Sequence, residues 1–324
     1  MKASWKLPTG VFIFVLFLLV PVQLFVDNPM LLLERFFPGG GWLQILLIAF
    51  YGALVAYKMQ DPARVAAWRQ YTWLAFSILF FSQLILGLAG MEKFLMTGKL
   101  HLPVPMMILA GPLYRGHISV MTILFLSTVV LSGPAWCSHL CYFGALDSVI
   151  TGRKISRQPI RWLWTIKWTL LLLVIVSALM LRGLKVDPLS STLLAGSFGV
   201  AGLGIMLILS RRKGKMIHCT TWCPIGTIVS YARLINPFRL SIERNSCNTC
   251  MACSLKCKYD ALNKKDILSG KPGSTCTLCG DCIASCHSGA IRYRFPGLSA
   301  NGSRNLYLLI TVSLHAATMA LARI

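Results

Sequence analysis

The sequence predicts an all-α polytopic membrane domain of six or seven transmembrane helices, joined to a small α+β module. Of the 324 residues, 56% are hydrophobic and 13% are charged. Together with a mean hydropathy of +0.66, this balance is typical of a membrane protein rather than a soluble domain. Eight of the 12 cysteines lie between Cys247 and Cys286, which sets one compact segment apart from the apolar remainder.

Seven apolar runs approach the roughly 20 residues that a helix needs to cross a bilayer. The first follows Lys2 and Lys6 in the manner of a signal peptide, but no small-x-small cleavage site comes after it, so we expect a retained anchor. The segment 103–112 is too short to span and contains prolines that break a helix, so we expect it at the membrane surface. The predicted spans are 11–26, 42–57, 73–88, 118–136, 163–181, 192–209 and, as the seventh, 306–321.

These runs and the cysteine-rich segment divide the chain into four parts. Residues 1–72 form N-terminal transmembrane helices, and 73–235 form a transmembrane core. Residues 236–296 form the cysteine-rich module, and 297–324 form a C-terminal transmembrane helix. The membrane part therefore surrounds the module on both sides in sequence.

Lysine and arginine in the short loops predict the orientation, because positively charged loops stay cytoplasmic. The richer side is predicted to face the cytoplasm of a bacterial inner membrane, and the cysteine-rich module emerges there after six crossings. Arg292, Arg294 and Arg304 keep it there. The richer side holds Lys2, Lys6, Lys58, Arg64, Arg69, Arg153, Lys154, Arg157, Arg161, Arg211, Arg212, Lys213 and Lys215, against Arg35, Lys93, Lys99, Arg115, Arg182 and Lys185 on the other.

The formal charge of +22 does not indicate a nucleic-acid partner. Much of the excess flanks apolar helices, where it orients the chain and meets anionic lipid head groups. No helix-turn-helix or aromatic RNA-binding motif accompanies it. Membrane lipid is therefore the expected partner of the basic residues.

The cysteine-rich module contains the run C-x2-C-x2-C-x3-C twice, with the first cysteines of the two runs at Cys247 and Cys276. This is the pattern of bacterial two-cluster ferredoxins, in which the fourth cysteine of each run ligates the other cluster. Structural zinc sites pair two short hooks instead. The module is thus predicted to be a small cytoplasmic two-cluster bacterial ferredoxin-like α+β module. One 4Fe-4S cluster is assigned to Cys247, Cys250, Cys253 and Cys286, and the second to Cys276, Cys279, Cys282 and Cys257.

The other four cysteines form an internal repeat, C-x3-C-[YP]-x-G, which begins at Cys137 and again at Cys219. Residues at i and i+4 share a helix face, so Cys137 with Cys141, and Cys219 with Cys223, would form two prongs of one metal or redox thiol site. The alternatives are cysteines buried as small hydrophobes and a redox-active pair. All 12 cysteines fall on the predicted cytoplasmic side or its membrane edge, where thiols are kept reduced.

With these motifs the chain resembles the NapH-type membrane ferredoxins, relatives of MauN and of the membrane portion of NosR, over residues 73–295. The resemblance implies electron transfer in the cytoplasmic membrane, with quinol as the donor and a periplasmic or membrane oxidoreductase as the protein partner. Tyr142 stands where the family has proline, and Lys258 and His287 replace the prolines after the fourth ferredoxin cysteines. The additional terminal helices and the lack of a large extracytoplasmic flavin domain are further departures.

Other ionisable residues lie within a predicted span or beside the C-x3-C motifs. His315 lies inside a predicted span, where such residues are functional suspects, but it could equally bond a backbone carbonyl. Haem b is not expected because His315 has no histidine partner inside a helix. His139, Asp147 and His218 lie beside the C-x3-C motifs and could accept protons from a quinol, or be solvated loop residues.

The combined interpretation is a membrane-bound iron–sulfur protein that passes electrons between the quinone pool and a redox partner complex. The alternative is an assembly factor that uses its clusters to reduce a metal or a thiol during maturation of a metalloenzyme. Because all cysteines lie toward the cytoplasm and about 30 Å of hydrocarbon separates them from the outside, quinol is expected in the cytoplasmic leaflet, near 136–147 and 218–228.

Overall fold

The computed structural model describes residues 4–27, 29–94, 104–152 and 158–321, and the chain is 68% helical. Lys2, Lys99, Pro103, Arg153, Lys154 and Arg157 lie outside these ranges. The α-helices in the described ranges are α1 (Lys6–Phe25), α2 (Leu32–Phe36), α3 (Gly40–Met59), α4 (Val65–Leu88), α5 (Met107–Arg115), α6 (Val120–Ser132), α7 (Trp136–His139), α8 (Tyr142–Ile150), α9 (Leu163–Gly183), α10 (Pro188–Ile205), α11 (Arg211–Lys213), α12 (Pro224–Ala232), α13 (Lys264–Ser269) and α14 (Ala300–Leu321).

Six helices of the described ranges are long and apolar enough to cross a membrane. Each overlaps one of the first six predicted runs, so that prediction is confirmed. The cytoplasmic placement of the basic loops stays a prediction. The six are Lys6–Phe25, Gly40–Met59, Val65–Leu88, Thr122–Ile150, Leu163–Gly183 and Pro188–Lys213.

The seventh predicted run, 306–321, lies within α14, which is outside this set of six. The helix itself forms because its first turn is capped: Gly302 N donates to Ser299 Oγ at 3.2 Å. Its buried face includes polar side chains, among them Ser303, Thr311 and His315. A membrane crossing by α14 stays a prediction.

The chain divides into two compact units. The first contains the N-terminal helices, the short segment His139–Tyr142 and α14. Within it α1, α3 and α14 pack together, and Gly52 permits their close approach: a Cβ there would lie 3.2 Å from Val11 Cγ1 and 3.4 Å from Ala316 Cβ. Small residues at such crossings are the usual means of bringing apolar helices together in a membrane.

The second unit holds residues 102–138 and 143–296. Within it the segment around α5 packs beside the middle of two long helices, since Val104 and Met106 form a buried cluster with Val174 and Ala195. This position differs from the expected one at the membrane surface. Pro112 lies inside α5 instead of breaking it, because the helix has only nine residues and ends at Gly116, which adopts a left-handed conformation with φ 77°.

The cysteine-rich module begins and ends with two short antiparallel strands, β1 (Arg239–Ile242) and β2 (Ile291–Arg294). Their sequences alternate, so that Leu240 and Ile242 pair with Tyr293 and Ile291 on one buried face, as expected of a half-buried strand. The Tyr293 hydroxyl donates to Leu278 O at 2.7 Å, which ties the strand to the second cysteine run. The sheet thus closes the chain around the eight cysteines.

Candidate iron–sulfur site

The two ferredoxin-type runs share a backbone conformation as well as a spacing. Left-handed residues recur 29 positions apart, the offset between Cys247 and Cys276. Four of these six residues are not glycine, and non-glycine residues rarely adopt this conformation. The pairs are Thr249 (φ 53°) with Leu278 (φ 55°), Met251 (φ 62°) with Gly280 (φ 80°), and Asp260 (φ 55°) with Gly289 (φ 62°).

Such turns direct successive backbone N–H groups to one side, and these concavities bind anions, including iron–sulfur centres. A recurring unfavourable conformation persists only where the surrounding structure demands it, and it is concentrated at functional sites. The paired turns therefore have the form of two anion cradles, one for each cysteine run.

Two thiols have a cysteine of the other run among their neighbours. Cys286 and Cys247 act electrostatically on Cys253. Cys279, Cys276 and Cys257 act on Cys282. Cys286 thus lies near the first run and Cys257 near the second, while the assignment of four ligands to each cluster stays a prediction.

Burial makes several of these thiols poor acids. It raises the pKa of Cys257 and of Cys276 to about 12, and that of Cys282 well above its usual value. Ala261 N donates to Cys257 Sγ at 3.3 Å, which partly offsets the effect. A buried thiol of this kind becomes a thiolate only when a cation replaces its proton.

Cys286 differs from Cys257, Cys276 and Cys282 because its thiol is less buried. Burial raises the pKa of its thiol, but hydrogen bonds from the Ser288 hydroxyl and from the N–H groups of Ala290, Ile291 and Ser288 bring it below its usual value. The thiol of Cys286 therefore ionises more readily than those of Cys257, Cys276 and Cys282.

In the described ranges no three His, Cys, Asp or Glu side chains already stand together as a metal-binding group. The fit of two 4Fe-4S clusters rests on the donor set and the backbone: eight thiols in two runs of equal spacing, on loops whose left-handed turns repeat. Both features suit a thiolate-bound anionic cluster. Neither suits a set of disulfides.

The two C-x3-C copies also share a local fold. In each, a nine-residue helix begins immediately after the second cysteine: α8 at Tyr142 and α12 at Pro224, which are 82 positions apart like the cysteines. Proline is favoured at the first position of a helix because its missing N–H would be unpaired there anyway. Tyr142 at the equivalent position leaves the helix start unchanged, so this departure from the family pattern does not alter the local fold.

The expectation that each pair shares one helix face was wrong. Cys137 lies in the short helix α7, which ends at His139 before Cys141. Cys219 lies in a π-helical turn, His218–Trp222, and Cys223 adopts extended dihedral angles (φ −75°, ψ 117°). The second cysteine instead occupies the N-terminus of the next helix, where backbone N–H groups favour a negative charge.

Two close contacts shape the second copy. Gly226 is required because a Cβ there would lie 2.6 Å from Cys219 O. Asp147, which is fully buried, accepts a hydrogen bond from Cys219 N at Oδ2 (3.1 Å). Since Asp147 belongs to the first copy, this bond joins the two copies, and the predicted pairing of the repeats is supported for this contact.

Lys167 was missed by sequence reasoning, although it interrupts an apolar run. Its side chain is 2% exposed, and Nζ donates to Ser230 Oγ (2.8 Å) and Gly226 O (3.2 Å). The cysteines whose charges act on it are Cys137, Cys223 and Cys219. The rule that an ionisable residue in a predicted span is a functional suspect applied to it as much as to His315.

A small cavity of about 20 Å³, enough for one water molecule, touches Lys167, Cys137, Cys219 and Cys276. The first copy is also hydrogen-bonded to the second ferredoxin run, because Ser138 Oγ donates to Thr277 O at 3.0 Å. Cys137, Ser138, the second copy and the second ferredoxin run are thus neighbours within one unit.

Cys141 belongs to the other compact unit. It is 6% exposed, and its carbonyl accepts a hydrogen bond from Trp73 Nε1 at 2.8 Å. The membership of Cys141 in a common site with the other three cysteines stays a prediction.

A second, open cavity of about 470 Å³ lies at the start of α9. The ring of Tyr231 lies 5.9 Å from that of Trp164 and 5.6 Å from that of Trp168. Arg233 and Ser274 contribute polar groups. Its volume lies in the range of small-molecule sites, and Ser230 lines both this cavity and the small one.

The three histidine candidates have structural roles or unsuitable acidity. His315 is hydrogen-bonded at both ring nitrogens, with His139 O at 2.9 Å and with Tyr51 Oη at 3.1 Å. The bond to a backbone carbonyl agrees with the structural role considered for it above. The ring of His139 packs edge-on against Tyr307 at 5.9 Å. Burial lowers the pKa of His218 to about 4, so it is a weak proton acceptor at neutral pH.

Lys258 and Lys215 hold the module against its surroundings. Lys258 Nζ donates to Ser148 O at 2.7 Å. Lys215, counted above as a loop cation, is instead 3% exposed and pairs with Asp260 at 2.5 Å. Asp260 also accepts from Ile160 N at 2.7 Å, so one carboxylate joins three segments of the chain.

Comparison with known proteins gives a family match on the repeated copies. Residues 114–158 and 195–240 each match the model of a 4Fe-4S binding domain, and each match contains one C-x3-C motif. Together with the six apolar helices, this supports a 4Fe-4S ferredoxin-type membrane protein.

Two curated relatives are distant. "Uncharacterized protein MJ0749" of Methanocaldococcus jannaschii is 23% identical over 50% of this chain and 65% of its own length. "Putative electron transport protein YccM" of Escherichia coli is 25% identical over 62% of this chain and 59% of its own length. The chain thus spans about 60% of the length of these relatives. No solved structure matches it.

Proposed function

We propose that this protein is a membrane-bound iron–sulfur electron carrier that passes electrons between the quinol pool and a redox partner complex in the bacterial inner membrane. Cys247, Cys250, Cys253 and Cys286 would hold one 4Fe-4S cluster, and Cys276, Cys279, Cys282 and Cys257 the other. The printed name of the Escherichia coli relative, an electron transport protein, supports this role. The NapH-type subtype and the cytoplasmic position of the clusters are part of the proposal.

The sorting of the thiols carries this proposal. A metal-free structural module would have no need to bring Cys286 to the first run and Cys257 to the second. When bound, the clusters would take up one at a time the two electrons that a quinol releases, with two protons, as it becomes a quinone. The chain's own contribution is to bury the thiols, to supply N–H groups and to limit access of water.

We further propose that the quinol ring occupies the cavity between Trp164, Trp168 and Tyr231. Aromatic walls suit a flat ring, and the polar lining residues Arg233 and Ser274 suit its hydroxyl groups. The cavity is open, so released protons can pass to water. Ser274 lies two residues before Cys276, which keeps the ring beside the second ferredoxin run.

This function is tested by anaerobic reduction of the clusters with a soluble quinol analogue. The loss of cluster absorbance measures the rate of reduction. Trp168→Ala should slow the reduction by about tenfold, the equivalent of the roughly 1.4 kcal/mol that an aromatic stacking contact provides. Trp42→Ala is the matched control, because both tryptophans are 43% exposed. Equal rates in both variants, with dithionite reducing both fully, would reject the cavity. If quinol did not reduce the clusters of the wild type, quinol would be rejected as the donor.

A further inference from the structure

We propose that Lys167 is a fixed positive counter-charge for an anionic metal–thiolate centre at Cys137, Cys219 and Cys223, and that it raises the reduction potential of that centre. The inference rests on the proposed electron-transfer function and extends it to a third centre. It assigns a role to a residue outside all the cysteine motifs.

The burial of Lys167 requires an explanation. An ammonium group loses much of its hydration when it is 2% exposed, and that loss is costly unless opposite charge compensates it. Its three contacts are the Ser230 hydroxyl, the Gly226 carbonyl and the Trp164 ring, 5.2 Å from Nζ. All three are neutral. In the described part of the chain no carboxylate forms an ion pair with Lys167.

Three cysteines lie beside Lys167. Cys137 and Cys219 line the same small cavity as Lys167, and Cys223 directly precedes α12, the helix to which Lys167 is hydrogen-bonded. As thiols they are neutral and leave the ammonium uncompensated. As thiolates around a metal they would supply the missing negative charge, and the match of both copies to a 4Fe-4S binding domain indicates the class of centre.

Two hydrogen bonds fix the position of the Lys167 ammonium relative to the cysteines. Gly226 and Ser230 lie in the first two turns of α12, the helix that begins directly after Cys223. The Ser230 hydroxyl donates to Gly226 O at 2.7 Å and so presents a lone pair to the ammonium. Lys167 is thus tied to the same helix as one of the proposed ligands, and its charge cannot move away when the centre gains an electron.

A fixed cation stabilises the more negative, reduced form of a metal–thiolate centre, because the attraction grows with each added electron. Removal of the charge should therefore shift the potential of this centre to more negative values. In metal-free protein the same change should instead stabilise the fold, because it removes an uncompensated buried charge. A lysine that only satisfies two hydrogen bonds predicts no shift in potential.

The test is an anaerobic redox titration, followed by electron paramagnetic resonance, of the full-length wild type, Lys167→Gln, Lys167→Met and Lys185→Met. Glutamine keeps a donor for Gly226 O but has no charge. Lys185 is exposed just beyond the other end of α9, so it is the matched charge control. We expect one centre to shift to a more negative potential in both Lys167 variants, while the two ferredoxin signals and the control stay at wild-type values.

Thermal unfolding provides the second reading, because it does not depend on electron transfer. The metal-free Lys167→Met protein should melt above the metal-free wild type, and the metal-loaded variant should lose iron faster than the loaded wild type. Wild-type potentials in both Lys167 variants would overturn the inference while leaving the ferredoxin clusters in place. A wild type without any iron–sulfur signal would instead reject the proposed function itself.

Discussion

The ferredoxin module and the C-x3-C copies hold their cysteines in different ways. In the module the thiols project from loops with left-handed turns, and a 29-residue repeat sets both the spacing and the backbone. In the copies each second cysteine stands at a helix start, and the contacts of each copy come from distant segments such as Asp147 and Lys167. A local motif is therefore sufficient to define the first kind of site, whereas the second depends on how helices pack.

The largest expected effect concerns the crossed ligands of the module. The loaded protein should contain about eight irons from the two ferredoxin clusters. Cys257→Ala should abolish the signal of the cluster on the second run, and Cys286→Ala that of the cluster on the first, each with the loss of about four irons. Ser254→Ala, inside the first run between Cys253 and Cys257, is the control. A variant that lost the cluster on its own run would show that the ligands are not crossed.

Disruption of the buried ion pair Lys215–Asp260 tests whether the stability of the module depends on its contact with the segment before the second C-x3-C copy. Asp260→Asn tolerates the left-handed backbone (φ 55°) but leaves the Lys215 charge unpaired, which should lower the free energy of unfolding by roughly 3 to 5 kcal/mol. Asp61→Asn breaks an exposed pair, in which Arg64 is 65% and Asp61 48% exposed, and should cost about 1 kcal/mol or less. Chemical denaturation of the two variants measures the difference, and similar losses would contradict it.

A smaller effect is expected from crowding the second copy. In Gly226→Ala the new methyl would lie 2.6 Å from Cys219 O, and the backbone must shift at a cost of roughly 1 to 3 kcal/mol. Gly204→Ala is the control, since nothing lies within 4 Å of a Cβ in that helix, and it should be neutral or stabilising by about 1 kcal/mol. The melting temperatures of the two metal-free variants measure this difference. An unchanged melting temperature in Gly226→Ala would show that the second copy is loosely packed.

The same contrast explains what the sequence could predict. The six apolar helices follow from run length, and the repeated left-handed turns follow the spacing of the two cysteine runs, because both are local properties. The crossed assignment of the ligands stays a prediction. The prediction that the cysteines at i and i+4 share a helix face was wrong, because Cys141 and Cys223 lie outside the preceding helical turn. Each of them instead stands immediately before a new helix, which begins at Tyr142 or at Pro224. The surface position of 103–112 failed because packing of Val104 against Gly199, where a Cβ would lie 2.8 Å from Val104 Cγ2, is a long-range contact. Lys167 was visible in its apolar run, but its cysteine neighbours were not.

The smallest expected effect concerns the residues that follow the fourth ferredoxin cysteines. Lys258 adds a positive charge and an N–H group where proline is usual, and both should stabilise the reduced cluster. Proline can be accommodated there, because Cys257 has the extended backbone (φ −84°, ψ 95°) that a residue before proline prefers. Lys258→Pro should lower the potential of the second cluster by roughly 40 mV, the equivalent of about 1 kcal/mol for one electron.

A second variant separates charge from hydrogen bonding in this prediction. Lys258→Met removes the charge and the bond to Ser148 O but keeps the backbone N–H. If charge dominates, Met and Pro should lower the potential equally, and if the N–H matters, Pro should lower it further. His287→Pro, at an exposed position, should shift the first cluster less, because water screens an exposed charge. Redox titration of the three variants gives these shifts, and unchanged potentials in Lys258→Pro would show that neither the charge nor the N–H reaches the cluster.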